Sequence, residues 1–239
     1  DALSIASTAV TATAAELNLL DDKDATHLAV PGKLGGTNFA NSILVGHATT
    51  GTLNNASQNT GVGINALDAI TSGDRNVAIG HDAGTAINAG SDNIAVGRES
   101  LKTATSSLYN TAVGGYSLKF VTGNGNIGIG YEAGNNISSG SGNVVIGNAD
   151  VASATGSDQL SISSGDDGSV VWISGDSSGN LTFAGDVTVA DDLNLTTDST
   201  VINFGADSDT TLTHTDGSGL TLNSTNKLMF NDASQYIQG

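Results

Sequence analysis

The sequence predicts an all-β chain. A parallel β-roll or β-helix solenoid of 17-residue coils comes first, then an intertwined trimeric β-prism or β-helix fibre, with one short helix near the start. Three observations lead there. Gly46, Gly63, Gly80, Gly97, Gly114, Gly130 and Gly147 recur every 17 residues, with one step of 16. β-Branched residues stand one and three places before each of these glycines. Aromatic residues, which dominate ordinary cores, make up only 4% of the chain. A fixed period of this size marks a repeat that cannot bury its own apolar face and must stack on its neighbours.

Residues 1–41 read as a connector. Thr13-Ala14-Ala15-Glu16 is a capping-box pattern ahead of Leu17, Leu19 and Leu20, and predicts a helix over about 13–21. Pro31 and Gly35-Gly36 follow. The chain opens at Asp1 rather than Met and is expected to be a mature or excised part of something longer.

Residues 42–156 carry the repeat. Val45, Val62, Ile79, Val96, Val113, Ile129 and Ile146 precede the glycines directly, and Ile43, Thr60, Val77, Ile94, Thr111, Ile127 and Val144 stand two places earlier. All are β-branched, which favours strand, and a spacing of two puts them on one face. Between them, on the other face, lie Leu44, Gly61, Ala78, Ala95, Ala112, Gly128 and Val145, mostly very small. That small face is expected to need a cover, and three copies meeting on an axis would supply it. After the glycine the chain turns. Small residues recur at plus three (Ala66, Ala83, Ser100), apolar ones at plus seven (Ile70, Ile87, Val121), and a second glycine near plus ten (Gly73, Gly90, Gly123, Gly140). This predicts two short strands and two turns per coil, with glycines supplying positive φ at the corners.

Asparagine stands four residues before six of the glycines. The resulting structural pairs are Asn59 and Gly63, Asn76 and Gly80, Asn93 and Gly97, Asn110 and Gly114, Asn126 and Gly130, and Asn143 and Gly147; Ser42 takes the place once. Asn tolerates the left-handed region, bonds nearby backbone and can form a ladder along stacked coils. The expectation is structural, with no ligand role. Seven coils at the strand spacing make a rod of about 30 Å.

In residues 157–239 the beat fades into alternating segments, among them Ser169–Ser174, Asn180–Phe183, Asp186–Val189, Leu193–Thr196, Thr200–Phe204, Thr210–His214, Gly219–Asn223 and Lys227–Phe230. Turn residues separate them, which indicates an all-β, narrow, three-chain segment.

Composition limits the function. Seven Lys and Arg against 24 Asp and Glu leave a charge of −17, which repels phosphate backbones and anionic membrane faces. No nucleic-acid partner and no membrane insertion are expected, and no apolar run approaches the roughly 20 residues of a bilayer span. With no Cys, disulfides and thiolate metal sites are excluded.

Chemistry is sparse. His47 and His81 share a column two coils apart, about 9.6 Å at strand spacing, too far for a common zinc ligated at roughly 2 Å. His27 and His214 have no comparable partner. Asp166-Asp167 and Asp191-Asp192 are adjacent residues that point to opposite faces of a strand, and the stacked Asp82 and Glu99 lie on a variable outer column. A retaining glycosidase needs two carboxylates about 5–5.5 Å apart with one pKa raised, so these read as solvated charge. The carboxylates offer at most loosely held Ca²⁺, among Asp191, Asp192 and Asp207 or Asp209; no cofactor is expected. Trp172, in Val170-Val171-Trp172-Ile173, reads as a buried strand residue, and Tyr109, Tyr116 and Tyr131 sit near coil corners. No catalytic motif is found, and the chain is not expected to be an enzyme.

Asn110-Thr-Ala-Val-Gly114 with Tyr116-Ser-Leu118, and Asn126-Ile-Gly-Ile-Gly130-Tyr131-Glu-Ala133, resemble repeats of long-tailed phage fibre proteins. They are similar also to the head repeats of trimeric autotransporter adhesins, a left-handed parallel β-roll whose repeat is usually shorter. Thr11-Ala-Thr-Ala-Ala-Glu-Leu-Asn-Leu-Leu-Asp21, Gly179-Asn-Leu-Thr-Phe183 and Gly219-Leu-Thr-Leu-Asn-Ser-Thr-Asn-Lys-Leu-Met-Phe230 resemble segments of marine phage structural proteins. The resemblance implies an extracellular homotrimeric tail fibre or spike on a virion, used for host attachment. Its partners would be its own copies, other virion proteins and a host-surface glycan or protein. The alternatives are a bacterial trimeric surface adhesin and a phage polysaccharide depolymerase.

Overall fold

The computed structural model describes residues 32–46, 50–164, 167–191 and 193–196, and beyond them only residue 217 and the strand segments 4–5, 8–9, 201–204, 210–215, 219–222, 228–229 and 236–237. The chain divides into two compact units, Asp1–Asp186 and Val187–Gly239. The expected helix over about 13–21 lies outside the described residues.

The first unit is built on one eleven-stranded sheet whose strands lie side by side in chain order. Eight of them are parallel: Ile43–Val45, Thr60–Val62, Val77–Ile79, Ile94–Val96, Thr111–Val113, Ile127–Ile129, Val144–Ile146 and Leu160–Ser163. Each residue pairs with its counterpart one coil on, so the 17-residue period of the sequence becomes the register of the sheet: Val77 faces Ile94, and Ile79 faces Val96. The result is a parallel β-solenoid of seven coils. It contains no helix among the described residues. Antiparallel strands close both ends, Gly32–Leu34 on the first coil and the hairpin Val171–Gly175 with Leu181–Phe183 on the last.

Each central coil has one regular strand, not the expected two. The residues between strands form turns, because the backbone enters the left-handed region at fixed places. Two residues after the glycine, Asn65, Asp82, Glu99, Tyr116 and Glu132 have φ between 56° and 60°. Each such residue costs of order 1–2 kcal/mol, and a bond to the neighbouring coil offsets it. The Asp82 N–H donates to the Ile64 carbonyl at 2.9 Å, and the Tyr116 N–H to the Arg98 carbonyl at 2.8 Å.

The small-residue face turns out to be the inside of the coil. Leu44, Ala78, Ala95, Ala112 and Val145 are fully buried and pack on the opposite wall, made by Leu67, Ile70, Ile87, Leu101, Leu118, Val121 and Ile137. No sister chain is needed to cover it. The bore is narrow: a Cβ at Gly128 would meet the Leu118 side chain at 2.8 Å, and one at Gly61 would run into Leu44. The β-branched residues face outward instead. Ile43, Val62, Ile79, Ile94, Val113, Ile129 and Ile146 are 37% to 43% exposed. The corner glycine is required twice over, since Gly80 has φ +135° and a Cβ there would sit 2.7 Å from the Gly97 carbonyl carbon.

In the second unit, Val201–Phe204, Thr210–Thr215 and Gly219–Leu222 form an antiparallel meander, and Leu228–Met229 pairs with Tyr236–Ile237. Asp186–Val189, which begins at the last residue of the first unit, and Leu193–Thr196, both expected as strands, are irregular.

Candidate functional site

The recurring asparagines form a closed internal ladder. The Asn76 N–H and Nδ2–H both donate to the Asn59 Oδ1, at 3.0 and 3.1 Å, and Nδ2 also donates to the Gly90 carbonyl at 2.8 Å. Asn93, Asn110, Asn126 and Asn143 repeat the pattern. The Ser42 Oγ starts it by accepting from the Asn59 N–H at 2.9 Å. Gln159 ends it, donating through Nε2 to the Asn143 Oδ1 and turning its Oε1 to the Ser153 N–H. All six asparagines are fully buried, so the ladder has nothing to offer a ligand. None of them takes the left-handed conformation. The residue just before does so: Gln58, Arg75, Asp92 and Tyr109, with Gly125 and Gly142, and Asp158 likewise before Gln159. The second glycines do not supply positive φ either. They lie where a Cβ at Gly73 would run into the Gly90 carbonyl, and their carbonyls receive the ladder's amides.

A second ladder escaped the sequence reading. The Ser57 N–H donates to the Asp74 Oδ1 at 2.8 Å, the Asp74 N–H to the Ser91 Oγ at 3.0 Å, and the Asn124 N–H to the Ser141 Oγ at 3.0 Å. The column mixes Ser, Asp and Asn and is interrupted by Leu108, which joins only through its N–H to the Asn124 Oδ1, and that mixture hid the period.

Charge and aromatic surface gather at the corner after the glycine. Asp82 accepts from the Asn65 Nδ2 at 2.9 Å, and its other oxygen lies 3.2 Å from the Lys102 Nζ. Lys102 also reaches Glu99 at 3.1 Å, and Lys119 meets Glu99 at 2.9 Å. These carboxylates, expected as solvated charge, are instead tied into a network spanning three coils. The bond from Asn65, then Lys102, holds the Asp82 carboxyl below its ordinary range, and bonds from Lys119 and Lys102 do the same for Glu99. A general acid needs the opposite shift. Beside this network the Arg98 guanidinium lies 4.4 Å over the Tyr116 ring, Lys119 lies 4.8 Å over it, and Tyr131 meets Tyr116 edge-on at 5.8 Å.

His81 is exposed, with Nδ1 3.6 Å from Asp82; His27 and His47 lie outside the described residues, and His214 is in the Thr210–Thr215 strand. Asp167 caps its own turn through the Ser169 N–H, while Asp166, Asp192, Asp207 and Asp209 lie outside the described residues. Among the described residues no three His, Cys, Asp or Glu cluster to hold a metal, and no helix is long and apolar enough to cross a membrane. Trp172, expected to be buried, is 54% exposed. The register passes from Ile162–Ile173 to Ser163–Val171, which leaves Trp172 as the extra residue of a bulge, with no partner on the Leu160–Ser163 strand. A cleft of about 450 Å³ lies between the last coil and this hairpin, lined by Asp150, Val151, Ser161, Val171, Asp176 and Thr182. Asp176 is occupied there, capping its turn through Ser178 and Asn180. No family model, curated protein or solved structure matches this chain.

Proposed function

We propose that the chain is a structural fibre or spike of a phage virion, a homotrimer that presents a repeated surface for host attachment. Other virion proteins hold it, and a host-surface glycan or protein receives it. The observation that carries the assembly is the outward strip of the solenoid. It contains no charged residue in either β-branched column, in a chain of net charge −17. It continues past the coils, since Ile162 faces Ile173 and Ile173 faces Phe183, and cross-strand partners share a face. Eleven strands at about 4.8 Å make it roughly 48 Å long. A continuous exposed apolar strip marks an interface. Because every copy carries the same strong negative charge, a charge-free strip is where like-charged copies can meet. The number three rests on the resemblance of the repeats to trimeric fibres.

The same repeats support a second reading, a bacterial trimeric surface adhesin. Immunogold labelling with antibody to this chain separates the two. Gold on appendages of virus particles is the expected result. Gold confined to bacterial cell surfaces would replace the fibre with the adhesin. A depolymerase has no support in the carboxylates of the coils, since Asp82 and Glu99 are both stabilised as anions.

A further inference from the structure

We infer that the corner formed by Arg98, Gly115, Tyr116 and Tyr131 is a subsite for one anionic sugar residue of a glycan. The inference builds on the reading of the coils as a display surface and names what that surface takes. Arg98, Gly115 and Tyr131 occupy the same column on three successive coils, directly after the corner glycines Gly97, Gly114 and Gly130. Arg98 and Tyr131 are therefore about 9.6 Å apart at the backbone, with only a glycine between them. An added Cβ at Gly115 would lie 3.5 Å from the Tyr131 ring. The absent side chain leaves a notch with a cation at one end and an aromatic ring at the other.

Each wall has a chemical use. Tyr131 is 52% exposed and touches Tyr116 edge-on, at an interplanar angle of 87°. The apolar C–H face of a pyranose can pack on such an open ring, as apolar surface generally does on aromatics. Arg98 rests its flat face on Tyr116, and among the described residues it takes part in no ion pair. Its N–H edges remain available, and a guanidinium edge matches a carboxylate or sulfate with two parallel hydrogen bonds. The neighbouring lysines do not compete for the ligand, because Lys102 and Lys119 are held by Asp82 and Glu99. Around the notch three cations (Arg98, Lys102, Lys119) balance three carboxylates (Asp82, Glu99, Glu132). This stretch is neutral where the chain as a whole carries −17. An anion is repelled less here than elsewhere; Glu132 is engaged with Tyr131 at the ring end, so the anion is placed at the Arg98 end.

Binding of three hexasaccharides to the purified chain tests this: an oligogalacturonate for carboxylate, a carrageenan fragment for sulfate and maltohexaose as the neutral control. The charged sugars are expected to bind at least roughly tenfold tighter than maltohexaose, and whichever binds better identifies the anion. Arg98→Ala and Tyr131→Ala should each weaken that binding by roughly tenfold, the scale of one charge-assisted pair or one stacked ring. Tyr131→Phe and Arg75→Ala, the latter at a different corner, should leave it unchanged. Circular dichroism of every variant confirms the coil. Equal binding of all three sugars, or unchanged binding by a folded Arg98→Ala variant, would overturn the subsite. Light-scattering mass on the same samples keeps the two ideas apart. A trimer that binds no charged sugar refutes the subsite alone, and a monomer that binds one refutes the assembly alone.

Discussion

Alternate residues of the same three-residue strands meet opposite environments. In the strand Ile94–Val96, Ala95 is fully buried in the bore, while Ile94, one residue away, is 40% exposed. Ordinary solvent-facing sheets reverse this, placing large aliphatics inside and small or polar residues outside. The inner column is small because the bore has room for one large wall only, and Leu67, Ile87, Leu101 and Leu118 supply that wall. The outer column is large and apolar although its neighbours on adjacent coils cover it only in part. Stability of the single chain therefore resides chiefly in the inner column and its Asn ladder, and the outer column is the face proposed for contact between chains.

That division makes the inner face the sensitive one. Asn93→Ala should have the largest effect on the chain's own stability. It removes the acceptor of two Asn110 donors and the donor to the Ser107 carbonyl, all in buried or nearly buried surroundings. Each orphaned group costs roughly 1–3 kcal/mol, so a loss of about 3 kcal/mol or more is expected, read from chemical unfolding. Ala95→Leu follows, at roughly 1–3 kcal/mol for overpacking. Ile94→Ser on the outer face should leave the unfolding of an isolated chain nearly unchanged while weakening assembly. If Ala95→Leu proved harmless and Ile94→Ser unfolded the chain, inner and outer would have to be exchanged.

Surface charge should matter less, and with a defined sign. The folded pKa values of Asp82 and Glu99 lie below their ordinary values of 3.8 and 4.5. Their contribution is thus complete above about pH 4.5 and is lost as pH falls through the depressed folded values. Thermal melts between pH 7 and 3 should be flat at first and then fall, and Asp82→Asn should flatten part of the fall. Smallest of all is Arg75→Ala. The guanidinium forks onto Asp92 at 2.7 and 2.8 Å, but the pair is exposed, and such pairs contribute about 0–1 kcal/mol. A melting point within a degree or two of the parent is expected.

Much of this was legible in the chain. The glycine period supplied the register, the β-branched columns supplied the strands, and the asparagines supplied the ladder. The polarity of the sheet was not legible. An alternating strand shows which residues share a face but not which face encloses the bore, and small residues suit a tight bore as well as a tight interface. The left-handed positions were hidden for another reason. Glu99 and Tyr116 are not residue types that announce positive φ, and hydrogen bonds to carbonyls of the preceding coil hold them there. The exposure of Trp172 was not legible because it sits at a bulge, which composition does not reveal. At the proposed subsite, Tyr116 and Tyr131 are visible in the sequence, but the closeness of Gly115 to the Tyr131 ring depends on how the coils stack.

Light-scattering mass of the wild-type chain beside the double variant Ile79→Asp, Val113→Asp tests the outer strip most directly. Three chains of 23.7 kDa, about 71 kDa, are expected for the wild type, and a folded 23.7 kDa species for the variant. A wild-type chain that is folded and stable at 23.7 kDa, or a variant that still assembles, would contradict the role assigned to that face.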